Sequence, residues 1–119
     1  MKTKRSFAAL LLVLCMLLSA CASGAQTNGE LTEVPEKYLP IGTVVLLVDG
    51  DQPLMIYARG VYFDTGETRD YSAVLYPYGR IEDEYIYSFD HEDIEKVLHL
   101  GYISEIEIQV NEFLKEKLK

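Results

Sequence analysis

The sequence predicts an α+β fold: a small antiparallel β-sheet, or a partly closed barrel, of about five strands with a C-terminal α-helix. Short runs dense in β-branched and aromatic residues alternate with clusters of Asp, Gly and Pro, the pattern of strands joined by turns. Near the end of the chain, Ser104 and Glu107 stand at capping-box spacing ahead of residues that recur at helical intervals.

The first strand is expected from Thr43 to Val48, closed by Asp49-Gly50-Asp51-Gln52-Pro53. Leu54 to Phe63 returns as the second, with Gly60 a candidate bulge or point of close approach. Asp64 to Thr68 turns the chain into a third strand, Asp70 to Tyr76. Tyr71, Ala73 and Leu75 share one of its faces and Ser72, Val74 and Tyr76 the other. Both faces are partly apolar, which predicts a central position. Pro77-Tyr78-Gly79 ends it, Arg80 to Glu84 is a charged loop, and Tyr85 to Phe89 is a fourth strand. Asp90 to Ile94 reads as a turn or a single helical turn. Lys96 to Leu100 suits either strand or helix; a fifth strand ended by Gly101 is the favoured reading. The helix follows, with Ser104 as its cap, Ile103 and Ile108 placed as a hydrophobic staple, and Ile106, Val110, Phe113, Leu114 and Leu118 along one face. The alternation of Ile106, Ile108 and Val110 would also fit a strand, but strong helix formers from Phe113 to Lys119 favour the helix.

Ahead of this domain, Lys2, Lys4 and Arg5 precede an apolar run from Phe7 to Leu18, the charged and apolar regions of an export signal. The run is shorter than the about 20 residues a spanning helix needs. Leu18-Ser19-Ala20-Cys21 resembles a bacterial lipobox, which implies cleavage before Cys21 and a lipid on its sulfur. Residues 1–20 are therefore read as a lipoprotein signal peptide, 21–37 as a lipid anchor and flexible tether, and 38–119 as the small α+β domain. The expected location is the extracytoplasmic face of the cell membrane, held by the Cys21 lipid. Cys15 leaves with the signal and Cys21 is acylated, so the folded domain is expected to hold no disulfide, thiolate metal site or cysteine nucleophile.

The 119-residue chain has a formal charge of −8. Cleavage removes three of its 11 basic residues, leaving eight against 19 acidic ones, a formal −11. Such a surface repels nucleic acid and anionic headgroups, and points to proteins or cations as what it meets. No catalytic constellation is expected: there is no Gly-x-Ser-x-Gly elbow, and Ser72 lies within a strand without an identifiable base. His91, beside Asp90, Glu92 and Asp93, matches no zinc template, and His99 is expected to point outward from a strand. The acid-rich turns fit no EF-hand loop. Metal and cofactor are both expected to be absent.

Nine tyrosines and no tryptophan mark the composition. Most of those in the sheet region are expected to be core or cross-strand packing. The functional reading takes Tyr76, Tyr78 and Tyr85, with Glu82, Asp83 and Glu84, as an exposed protein-binding surface, since tyrosine is enriched at interfaces.

Three segments carry a family resemblance: Leu39-Pro40-Ile41-Gly42-Thr43-Val44-Val45, Asp70-Tyr71-Ser72-Ala73-Val74-Leu75-Tyr76-Pro77-Tyr78-Gly79, and Phe89-Asp90-His91-Glu92-Asp93-Ile94 through Val97 to Leu100-Gly101-Tyr102. In order and spacing they resemble domain-of-unknown-function family 4176 of Gram-positive bacteria. The resemblance implies a small domain often associated with type VII secretion loci, whose relatives accompany secreted LXG toxins as accessory or targeting partners; it brings no catalytic residues. An outward-facing copy cannot escort a toxin before export. The expected role is accordingly a protein-binding module outside the cell, accessory or immunity-like, with a secreted toxin as one expected partner. The alternative is an envelope structural or assembly lipoprotein with no toxin link.

Overall fold

The computed structural model describes Leu31 and residues 33–118; the signal, Cys15 and Cys21 lie outside the described residues. Five strands, β1 (Val44–Leu47), β2 (Leu54–Tyr62), β3 (Thr68–Leu75), β4 (Ile86–Phe89) and β5 (Ile94–His99), precede one helix, α1 (Glu105–Lys117). The strands form one open antiparallel sheet in the order β4-β3-β2-β1-β5. The α+β class and the five strands are those the sequence predicts, β3 is internal, and the ambiguous segment before Gly101 is β5.

Alternation along the strands creates the core. Val45, Leu54, Ile56, Tyr71, Ala73, Phe89, Ile94 and Val97 are buried together, with Tyr38 and Leu39 laid over them. Leaving water stabilises each large apolar side chain by about 1.5–3 kcal/mol. The β2–β3 ladder is the longest, from Leu54↔Leu75 to Tyr62↔Thr68, and a shift between Ile56 and Ala58 bends it.

The sheet is curled at one end. β4 and β5 lie on opposite edges, about 19 Å apart if the sheet were flat, yet only Asp90 to Asp93 separate them in sequence. That connector contains a 3-10 turn, His91–Asp93, and cannot be fully extended. It crosses the mouth of the curl: Asp70 in β3 donates its N–H to Asp90 (3.1 Å) and accepts from the His91 N–H (2.9 Å), and Val48 beyond β1 donates to the Asp93 carbonyl (2.8 Å).

The helix begins as the capping spacing predicts, with Ser104 Oγ accepting the Glu107 N–H at 3.1 Å. Its orientation differs from expectation. Leu114 packs on the core, but Ile106, Val110 and Phe113 are exposed. The reason is Arg59: its side chain on β2 is only 7% exposed, and a buried guanidinium requires a charged partner. Glu107 supplies both oxygens, with Nη2 to Oε2 at 3.1 Å. Turning Glu107 toward the sheet turns Ile106, one residue and about 100° away, to the outside. Asn111 donates to the Tyr38 carbonyl and Lys115 pairs with Glu36 (3.0 Å), completing a largely polar contact. At Gly60 (φ 60°) a side chain would strike Leu118, so the close approach read from the sequence is where the helix end meets β2.

The tether reading runs to Lys37, whereas residues before it also touch the domain. Leu31 donates its N–H to Val97 on the outer edge of β5 (2.8 Å), and Leu31 and Val34 pack on the core. Lys37 pairs with Asp70 at 2.7 Å.

Candidate protein-binding surface

The face of the sheet opposite the core also carries apolar side chains. Val44 lies between Met55 of β2 and His99 of β5 in the two ladders of β1. These three, with Gly42, Pro53, Tyr76 and Leu98, line a groove of about 500 Å³, within the range of ligand and peptide sites. β3 ends at Leu75, and the Tyr76 N–H donates to the Pro53 carbonyl (2.9 Å), holding Tyr76 at the rim.

From Tyr76 the chain turns through Pro77 and Tyr78 to Gly79, whose N–H returns to the Leu75 carbonyl at 2.7 Å. Gly79 has φ 74°, the left-handed conformation glycine adopts without strain. Tyr78 projects 69% exposed, and Tyr76 and Tyr85 are exposed as well. Glu82, Asp83 and Glu84 are exposed on the following loop, which a 3-10 turn from Asp83 to Tyr85 closes with the Tyr85 N–H on the Glu82 carbonyl (3.1 Å). Arg80 pairs with Asp83. All six residues singled out from the sequence are thus exposed, and Tyr76 alone among them lines the groove.

Of the two packings expected for the tyrosines of the sheet region, core or cross-strand, the core one holds for Tyr71 alone: Tyr57, Tyr62, Tyr76, Tyr78, Tyr85 and Tyr87 are exposed. The others lie on the solvent face, at strand ends or in turns. Sequence reasoning missed Val44, Met55 and Leu98 as groove residues. The signal available was the second apolar face already visible in β3.

The buried tyrosine belongs to a separate polar network. Tyr71 Oη accepts the Leu39 N–H (3.1 Å) and lies 2.8 Å from His91 Nδ1. The Pro35 backbone also accepts a hydrogen bond from the His91 ring. Burial pushes the Tyr71 hydroxyl well above its ordinary value and pulls His91 below its own. The network ties Leu39 to β3 through a half-buried His91, while Glu92 and Asp93 of the same turn are exposed. Ser72 is bonded to the Ser88 hydroxyl at 2.7 Å. Among the described residues, no three of His, Cys, Asp and Glu converge as metal ligands would.

The model of a family described as a domain of unknown function, DUF4176, matches residues 38–110, which takes in all five strands and the start of α1. No curated protein and no solved structure matches the chain.

Proposed function

The chain belongs to the family described as a domain of unknown function, DUF4176, and from that premise we propose that it is a lipid-anchored extracytoplasmic module that binds another protein. The observation that carries the reading is the juxtaposition at Tyr76. An apolar groove with Met55 and Leu98 in its wall meets a turn that projects Tyr78, followed by the acidic loop Glu82–Glu84. Aromatic anchors beside a desolvated groove supply affinity, while the acids steer a basic partner toward it. The export signal and the lipobox ending at Cys21 support the outer membrane face as its location.

The partner is an extracytoplasmic protein with a basic, partly apolar segment. A secreted toxin of the type VII class meets that description, and an anchored copy would capture it outside the cell in an immunity-like or accessory role. Pull-down from the native envelope tests this with wild type, a Tyr76→Ala, Leu98→Ser variant and a Tyr78→Ala, Asp83→Lys variant. A specific protein retained by wild type and lost by the variants is the expected result. Equal retention by all three rules out this surface, and the absence of any specific partner rules out the binding role.

A further inference from the structure

Helix α1 displays three parallel rows. Glu107, Asn111, Leu114 and Leu118 face the sheet and the chain ahead of β1. Ile106, Val110 and Phe113 form a second row spaced four and three residues apart. They are exposed, Ile106 to 71% and Phe113 to 56%. The third row, Glu105, Gln109, Glu112 and Glu116, borders the apolar one on the side away from the sheet and is exposed throughout. Neither Glu105 nor Glu116 is in an ion pair among the described residues, and Glu112 reaches only Lys115, at 3.7 Å.

We propose that this face of α1 receives a helix of another protein, one that carries its own apolar stripe flanked by Lys or Arg. The spacing of the exposed apolar row is that of a coiled-coil seam, in which side chains of one helix enter gaps between four residues of the other. A stripe of this kind left in water on a 13-residue helix is an unfilled contact. The acidic row sets the sign of the occupant, because its carboxylates would lie beside the partner's flanking positions. A second copy of this chain would place its own acidic row against this one, and the formal −8 adds to the repulsion. Lys117, over the Phe113 ring at 5.9 Å, marks the end of the stripe. This surface is separate from the Tyr76 groove and does not depend on it.

The probe is a pair of synthetic helical peptides of about three heptads, both with Leu at the seam, one flanked by Lys and the other by Glu. Each is labelled and titrated with the full-length chain. The Lys peptide is expected to bind at least about tenfold more tightly than the Glu peptide and to weaken with salt. An Ile106→Ser, Phe113→Ser variant, exposed at both positions and checked for an unchanged melting temperature, should lose the binding. A Glu105→Lys, Glu112→Lys, Glu116→Lys variant should reverse the preference, and Tyr78→Ala should leave it intact, which separates this test from that of the groove. Equal binding of the two peptides, binding of neither, or binding that survives the serine variant overturns the proposal. So does a concentration-dependent dimer that the serine variant abolishes, which would assign the face to a second copy.

Discussion

The Tyr71 hydroxyl and His91 Nδ1 lie 2.8 Å apart across the β3–connector junction, and the Leu39 N–H is directed at the same tyrosine oxygen (3.1 Å). Burial of the ring favours the neutral imidazole, in which one nitrogen donates and the other accepts.

Stability should therefore fall on acidification through the ordinary histidine range. Burial holds the His91 pKa below its usual value, so the unfolded chain takes up the proton first and is favoured as the pH drops below about 6.5. Asp70 and Glu92 oppose the shift and Lys37 reinforces it. Thermal melts at several pH values should show a lower melting temperature toward pH 5 in wild type and a flatter profile in His91→Gln. A slope unchanged by the substitution would assign the effect to other groups.

Separating Arg59 from Glu107 should be costly. Their side chains are 7% and 16% exposed, and removing one member strands a largely buried charge, at about 3–5 kcal/mol for a fully buried pair. Urea unfolding of Glu107→Ala should show a loss toward the lower end of that range. The double replacement Arg59→Met, Glu107→Leu should lose less than Glu107→Ala alone, since it leaves no stranded charge; a simple sum of single effects would contradict the account.

Thr43 is fully buried, donating its hydroxyl to the Pro40 carbonyl (2.7 Å) and accepting the Gly101 N–H (3.0 Å). Thr43→Val keeps the shape and leaves the Gly101 N–H unpaired, while the Pro40 carbonyl still accepts the Thr43 N–H (3.2 Å); one buried donor without a partner costs about 1–3 kcal/mol. Denaturant titration reads the loss directly. A neutral result would mean that neither bond contributes to the joint between β5 and the chain ahead of β1.

At the N-terminus, mass spectrometry of the native protein should find residues 1–20 absent and a lipid-sized mass on Cys21, and Cys21→Ala should release the protein or leave it unprocessed. An intact signal, or a lipid-free terminus at another residue, contradicts the anchored reading.

The strands were legible because their turns are chemically explicit, as at Asp49-Gly50-Asp51 and Pro77-Tyr78-Gly79, and because β-branched and aromatic residues alternate between them. The helix was legible from Ser104 and Glu107. Its orientation was not, since periodicity reports that a stripe exists and says nothing of which neighbour it faces. That depended on Arg59, whose burial arises from the sheet's continuation beneath α1 and leaves no local pattern. Which tyrosine is buried was hidden for a related reason: the ring suits a strand on either face, and among the described tyrosines of the sheet region only Tyr71 has a buried backbone N–H and an imidazole at its hydroxyl. Of the surface, Tyr76 to Tyr85 could be located by the proline-glycine turn, while the groove needed Val44, Met55 and His99 to be brought into one row by pairing across three strands.

The strand order also sets a timetable. A chain that emerges N-terminus first has β1 and β2 available early, yet the second ladder of β1 needs β5: Val45 waits for Val97, and Leu47 for Ile94. Until then Val44 to Leu47 form a bare apolar edge, the kind of strand that recruits a foreign one. Contacts this distant in sequence close slowly, because the loop must be ordered before they contribute. A chain cut before Ile94 would keep the turns and hairpins of the first four strands and lose the cover on the first, so its expected fate is aggregation. Completion of the molecule rests on the last strand reaching the first.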